Sequence, residues 1–145
     1  MGLDLLYNEM IMEHAKNRAN HRELIERTHD EHGHNPSCGD DLTLHLKIHE
    51  DCIEEASFVG SGCAISMAST SMMIDLIRGE SIEKAMEKTE LFLKMILGEE
   101  TPLEEQKEVE LLEDAVLLKN IRFMPARVKC AVLAWHTLKE ALIKK

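Results

Sequence analysis

The sequence predicts a small mixed domain in which one β-hairpin is joined to several helices. Residues 42–48 alternate apolar and polar side chains, which is the period of a strand with one buried face. A second strand-like run at residues 53–59 follows a short polar turn, so the two runs predict an antiparallel hairpin. Many of the remaining apolar residues recur at helical spacing. With 145 residues, the chain has room for one domain and one sizeable core.

The composition narrows the classes of function. A formal net charge of −10 argues against a nucleic-acid or anionic-membrane surface, which would need a basic stripe. No run of about 18 apolar residues predicts a membrane span, and the N-terminal residues do not resemble a signal peptide. We therefore expect a cytoplasmic protein. In that compartment, the four cysteines are expected to bind metal, take part in catalysis or be inert rather than form disulfides.

The first third of the chain is the hardest part to assign. Residues 3–19 have the three- and four-residue apolar spacing of an amphipathic helix. Residues 21–29 could form a short edge strand anchored by Leu24. His29, His32 and His34 follow, and they could bind metal or carry protons near Cys38, although a solvated loop is the favoured interpretation.

The middle of the chain predicts two helices with recognisable ends. Residues 64–77 are apolar nearly all round, which is typical of a central buried helix. Gly79 suits a left-handed cap after this helix. Ser81 suits the N-cap of the next helix, which extends to about Leu97.

The last third of the chain begins with an acidic stretch at residues 99–120, which predicts one or two short, partly exposed helices. Pro125 suits the first turn of a final helix that continues to about Ile143. The apolar stripe of this helix consists of Val128, Ala131, Val132, Trp135, Leu138 and Leu142.

Three of the four cysteines have contexts that indicate chemistry. Cys38 lies in a Pro- and Gly-containing loop, where it should be exposed. Cys63 follows a Gly-rich turn at a helix N-terminus, where unpaired amide groups favour a thiolate. Cys130 lies roughly 130° from the centre of the final helix's apolar stripe, and is therefore predicted to be off its core face. Cys52 has no partner motif and is predicted to be an ordinary strand or turn residue.

The three thiols and Asp40 could form a four-ligand metal site. Zn²⁺ prefers four tetrahedral ligands, and thiolates also bind iron–sulfur clusters. Arg127, one turn before Cys130, could stabilise a nearby thiolate or carboxylate. No CxxC pair is present, so these ligands would have to converge through the tertiary fold. The alternative is two buried structural cysteines and one free thiol.

Three cysteine-containing motifs carry a family resemblance. The runs NPSCGD at residues 35–40, GSGCAISMAS at 60–69 and MPARVKCA at 124–131 resemble, in order, the IscU/SufU/NifU N-terminal-domain family of iron–sulfur cluster assembly proteins. Extra residues at 99–120 are similar to an insertion in the SufU branch. The IscU branch has His immediately before its third cysteine, where this chain has Lys129, which also favours SufU.

The resemblance implies an α+β fold over residues 1–145, as a single domain. It would contain a three-stranded antiparallel sheet with about five to six helices packed on it and a metal site at one end. Residues 21–29 would then supply the third strand. SufU-like proteins bind one zinc through the residues matching Cys38, Asp40, Cys63 and Cys130, and the residue matching Arg127 neighbours the site.

The resemblance also implies a function. The residue matching Cys38 accepts persulfide sulfur from a pyridoxal-phosphate cysteine desulfurase of the SufS type, which makes the protein a zinc-dependent sulfurtransferase that serves a downstream cluster scaffold. One alternative is that the chain is itself the scaffold and assembles a 2Fe–2S cluster or binds iron on the same ligands. A purely structural zinc domain is the third possibility.

Overall fold

The fold places a three-stranded sheet beside a set of helices. The structure, a computed structural model, describes residues 2–37, 39–98 and 105–144. The helices are α1 (Gly2–Lys16), α2 (Ala64–Ile77), α3 (Ile82–Ile96), α4 (Glu105–Leu112) and α5 (Pro125–Lys144), and a 3-10 helix (Glu113–Ile121) follows α4. The strands are β1 (His29–Asn35), β2 (Asp40–His49) and β3 (Cys52–Ser61). The predicted α+β class, with three strands and five to six helices, is confirmed.

The sheet is antiparallel throughout and has the order β1-β2-β3. The predicted hairpin is β2–β3, and Glu50 and Asp51 turn the chain with φ angles of 50° and 61°. Positive φ at both central residues matches the right-handed twist of paired strands, which is why two-residue hairpins favour it. Leu42, Leu44 and Leu46 are buried on one face, as their alternation predicted.

The third strand lies later in the chain than predicted. Residues 21–28 lie outside the three strands; this segment begins with a bridge from His21 to Phe58 of β3, and Leu24 donates its N–H to His45 on β2. The strand is instead β1, so the prediction of a loop at the three histidines was wrong. β1 contains no apolar alternation, because its inward positions are occupied by Gly33 and Asn35.

Helix α2 is the centre of the core, as predicted. Eleven of its residues are buried, and it contacts α1, α3, α5 and β3. Its C-terminus is followed by Gly79 with φ of 81°, and Ser81 caps α3 by accepting the N–H of Lys84. Helix α1 ends at Lys16, earlier than predicted. Among residues 9–16 of this helix, Ile11 is the buried residue. No helix in the described ranges has the length and apolarity needed to cross a membrane.

Helix α5 is fixed against both α2 and α3. Trp135 stacks on Phe92 of α3 with ring centroids 4.0 Å apart. The Trp135 indole N–H donates to Ser69 Oγ on α2, and Ser69 Oγ donates to the carbonyl of Ala131. Because Ala131 follows Cys130, these contacts also fix the position of Cys130 relative to α2.

Candidate metal centre

Three elements bring Asp40, Cys63 and Cys130 together. Asp40 is the first residue of β2, Cys63 caps the N-terminus of α2, and Cys130 lies in the second turn of α5. One ligand atom from each residue lies within 4.8 Å of the other two. The predicted convergence through the tertiary fold is therefore present for these three side chains.

Asp40 has one satisfied and one unsatisfied oxygen. The residue is fully buried, and its Oδ1 accepts the backbone N–H of Cys63 at 2.9 Å. Its Oδ2 is also buried, and it has no hydrogen-bond partner in the described ranges. Burying a carboxylate oxygen without a partner is unfavourable. The arrangement therefore fits a cation held between this oxygen and the two sulfur atoms.

Gly62 permits the close approach of Asp40, and the sequence reasoning missed this role. A Cβ at Gly62 would lie 2.7 Å from Asp40 Oδ1 and 3.2 Å from Cγ, closer than side chains pack. Any larger residue would displace the carboxylate. The signal was available in the two glycines before Cys63, which mark a place where backbone and side chain approach closely.

Cys63 occupies the predicted position at a helix N-terminus. Its backbone is extended, and its Sγ accepts the N–H of Ser66 at 3.4 Å. The Ser66 amide and the helix dipole therefore place partial positive charge beside the sulfur. Cys63 is also exposed, so the sulfur is held from one side only.

Cys130 is buried, and the prediction that it lies off the core face was wrong. The residue is only 5% exposed, and its Sγ donates to the carbonyl of Ala126 at 3.6 Å. Helix α5 packs on β1 and β2 as well as on α2 and α3, so its buried arc is wider than one apolar stripe. The predicted stripe residues Val128 and Val132 are only half-buried. Thr137, which lies beside Gly33 of β1, is another buried residue of α5 outside the predicted apolar stripe.

Arg127 lies beside the cluster, as predicted. A cleft of about 350 Å³ is lined by Arg127, Cys63, Cys130, Ala64, Ile65 and Ala126. Arg127 is exposed, and its positive charge is close enough to this cleft to offset a negative ligand set.

Cys38 lies outside the described residues. Its neighbours form a tight connection between β1 and β2, in which Gly39 donates its N–H to the Asn35 carbonyl at 2.9 Å. Ser37 donates its N–H to Asn35 Oδ1, and Asn35 is paired with Asp40 in the sheet. The connection therefore begins and ends next to the cluster.

The donor atoms fit a soft or borderline transition metal. Two thiols and one carboxylate suit zinc or iron, and do not by themselves choose between them. In a tetrahedral zinc site, ligand atoms are about 3.5–3.8 Å apart, so the cluster would have to tighten by at most about 1 Å. In the described ranges, no other group of three or more such residues converges in this way. His29, His32 and His34 lie on β1 and do not join the cluster.

Comparisons with known proteins find a matching family and several similar relatives. The family described as the NifU-like N-terminal domain matches residues 6–121. The iron–sulfur cluster assembly scaffold protein IscU of Thermotoga maritima is 41% identical over 144 residues, covering 99% of this chain and 97% of the relative. The zinc-dependent sulfurtransferase SufU of Bacillus subtilis is 38% identical over 144 residues, covering 99% and 94%.

The fold is also found among solved structures. The crystal structure of a candidate iron–sulfur cluster assembly scaffold protein for the SUF system, from Fervidobacterium islandicum, superimposes with a TM-score of 0.86. It is 36% identical, and the match covers 95% of this chain and 97% of that one. The relatives therefore share the fold over nearly their whole length but differ in the activity that their names give.

Proposed function

This chain belongs to the NifU-like N-terminal domain family, the IscU/SufU family of iron–sulfur cluster assembly proteins, and we propose that it acts there as a zinc-dependent sulfur acceptor. The observations that carry this proposal are the convergence of Asp40, Cys63 and Cys130 and the buried Asp40 Oδ2, which has no hydrogen-bond partner among the described residues. Residues 1–145 would form a single domain, with an insertion at residues 99–120 between the second and third ligand cysteines.

Cys38 would complete the ligand set. It belongs to the connection between β1 and β2, which begins and ends beside Asp40. Bound zinc would supply the positive charge that keeps the thiols deprotonated at neutral pH. Three thiolates, a carboxylate and Zn²⁺ have a formal charge of about −2, which Arg127 and Lys129 would offset.

The four proposed ligands come from different kinds of segment. Cys63 and Cys130 are tied to helices, and Asp40 is tied to a strand. Cys38 lies in a short connection whose neighbours Ser37 and Gly39 are exposed. We therefore assign sulfur acceptance to Cys38 and anchoring to the other three.

The transfer step balances without a further reactant. The Cys38 thiolate attacks the outer sulfur of a persulfide on a partner enzyme. A new S–S bond forms at Cys38, the existing S–S bond breaks, and the partner's cysteine leaves as a thiolate. The expected partner is a pyridoxal-phosphate cysteine desulfurase of the SufS type, and the sulfur would pass on to a downstream cluster scaffold.

The second candidate is a scaffold that assembles a 2Fe–2S cluster on the same residues. It is favoured by the scaffold name of the Thermotoga maritima relative, whose identity is 41%. The zinc-dependent candidate is favoured by the Bacillus subtilis relative and by Lys129, which stands at the position before Cys130 where the IscU branch carries His.

The test of sulfur acceptance is the Cys38→Ala variant in the presence of a cysteine desulfurase and cysteine. Removing the nucleophile should abolish persulfide formation on this chain and its stimulation of the desulfurase, because the proposal assigns acceptance to Cys38 and anchoring of the metal to Cys63 and Cys130. Cys52→Ala is the matched control, since Cys52 Sγ is directed at the Gly79 carbonyl away from the cluster. Undiminished persulfide formation on Cys38→Ala would contradict the assignment.

A further inference from the structure

The outward face of β1 carries two histidines with the same orientation. His32 and His34 are separated by one residue, so their side chains lie on the same side of the strand. Both are exposed, and their rings stack at a centroid distance of 6.3 Å with an interplanar angle of 17°. Two imidazoles on the same side of one strand can supply two ligands to one metal ion.

Gly33, between the two histidines, fixes their direction. It is buried against α5, where a Cβ would lie 2.2 Å from Thr137 Oγ1 and 3.3 Å from Leu133 Cδ1. A strand with this side pressed against a helix cannot rotate about its axis. His32 and His34 are therefore held on the opposite, solvent-facing side of the sheet.

Asp41 on β2 provides a carboxylate to the same face. It is directly opposite His34 in the sheet and diagonal to His32, which is within the reach of a long side chain. His32 Nε2 lies 2.7 Å from Asp41 Oδ1. A carboxylate that holds one imidazole nitrogen orients the ring and leaves the other nitrogen available to a metal.

The two rings are close to the separation that a shared ion requires. With Zn–N bonds of about 2.0–2.1 Å and a tetrahedral angle, the ring centroids of two ligands lie about 5 Å apart. The observed 6.3 Å therefore needs an approach of about 1 Å, together with rotation of the nearly parallel rings so that one nitrogen of each is directed at a common point. The side chains of His32 and Asp41 are each 56% exposed, so this approach requires only rotation in solvent.

We propose that His32 and His34, oriented by Asp41, form a second metal site that binds a divalent transition metal such as Zn²⁺. It lies on the opposite face of the sheet from Asp40, because Asp40 and Asp41 are consecutive residues of β2. Its donors are imidazoles, and water completes the coordination. It therefore binds more weakly than the thiolate site, and the net charge of −10 favours the approach of cations.

The experiment is a titration of Zn²⁺ into protein that already carries one tightly bound zinc. Calorimetry should detect a second equivalent, and the ring signals of His32 and His34 should shift in nitrogen-15 NMR spectra. The His32→Gln/His34→Gln variant should lose this second binding event. Asp41→Asn should weaken it by about tenfold or more, as expected for loss of an orienting carboxylate.

His49→Gln is the matched control, because His49 is also exposed and lies at the other end of β2. It should bind the second equivalent as tightly as the wild type. All four substitutions replace exposed side chains, and thermal melts should verify that the variants are folded. The inference is overturned if the double histidine variant retains the second binding event, or if no second equivalent binds to the wild type. Neither result depends on whether Cys38 accepts sulfur.

Discussion

Asp40 and Asp41 are neighbours in the sequence but stand in opposite environments. Asp40 is fully buried and lies beside two cysteines that come from different helices. The side chain of Asp41 is 56% exposed and contacts a histidine from the adjacent strand. The alternation of one strand thus separates a buried, thiol-rich site from an exposed, imidazole-rich one. Packing holds Asp40, Cys63 and Cys130 close together before a metal binds. The exposed side chains of His32 and His34 must rotate to reach a shared ion.

The buried cluster is held in place because the helices around it are joined by hydrogen bonds and a ring contact. Ser69 joins α2 to α5 through the Ala131 carbonyl, and Trp135 joins α5 to both Ser69 and α3. Substitutions that displace the buried cluster residues should therefore have large effects on metal binding. Changes on the solvent side should have smaller ones.

Gly62→Ala should produce the largest change, because it acts on the buried site directly. The new methyl group would displace the Asp40 carboxylate and break its bond from the Cys63 N–H. We expect metal affinity to fall by about tenfold or more and the free energy of unfolding to fall by about 1–3 kcal/mol. Competition with a zinc chelator measures the first quantity, and denaturant titration measures the second.

Gly79→Asn is the control for that variant. Gly79 follows the opposite end of α2, has open space around its Cβ position, and has a positive φ that Asn tolerates. It should leave zinc affinity unchanged. If Gly62→Ala also left zinc affinity unchanged, Asp40 would not be a ligand.

Gly33→Ala tests the packing that separates the two faces. Its methyl group would collide with Thr137 Oγ1 on α5, so we expect a loss of about 1–3 kcal/mol in the free energy of unfolding. Adding Thr137→Ala removes the colliding oxygen and should recover part of that loss, which a double-mutant cycle would measure. Strictly additive effects would mean that β1 is not pressed against α5 at this position.

His45 sharpens the comparison, because it is a histidine of the outward face that has become buried. It is 4% exposed, and its Nδ1 accepts the N–H of Leu24 at 3.2 Å. Burial lowers the pKa of His45, and the charge of Arg27 lowers it further, against the opposing effects of Asp30 and Glu23. The folded protein therefore holds this imidazole in its neutral form.

The lowered pKa of His45 predicts a pH-dependent change in the free energy of unfolding, and this is the smallest of the expected effects. The unfolded chain takes up the proton near pH 6.5, before the folded chain does, so stability should fall as the pH decreases through that value. His45→Asn keeps an acceptor for Leu24 but does not titrate, and its stability should vary less between about pH 7.5 and 5. Denaturant titrations across this range measure the slope. The exposed control His49→Asn should keep the wild-type slope, and an equal slope in His45→Asn would contradict the assignment.

The parts of the fold with strong local signals were predictable from the sequence. The extent of α2 followed from its apolar composition and from Gly79 after its end, and the start of α3 followed from its N-cap Ser81. The β2–β3 hairpin followed from the alternation of residues 42–48. In these segments, local preference and tertiary packing agree.

The sequence-based prediction was wrong where the buried residues form no apolar pattern. The buried residues of β1 are Gly33, which packs against α5, and Asn35, which pairs with Asp40, so the inward face of this strand is not recognisable by hydrophobicity. The burial of Cys130 depends on the side of α5 that faces the sheet. The residues of the Asp40, Cys63 and Cys130 cluster were predictable because their motifs carried a family resemblance, whereas the positions of Gly62 and Asp40 Oδ2 needed the tertiary structure.

The most direct test of a zinc-dependent sulfur acceptor is elemental analysis of protein purified without chelator and dialysed to remove weakly held ions. Zinc, iron and acid-labile sulfide would be measured in the wild type, Asp40→Ala and the control Cys52→Ser. The account predicts about one zinc per chain in the wild type and the control, and reduced or labile zinc in Asp40→Ala. Iron with acid-labile sulfide, or wild-type protein without metal, would contradict it.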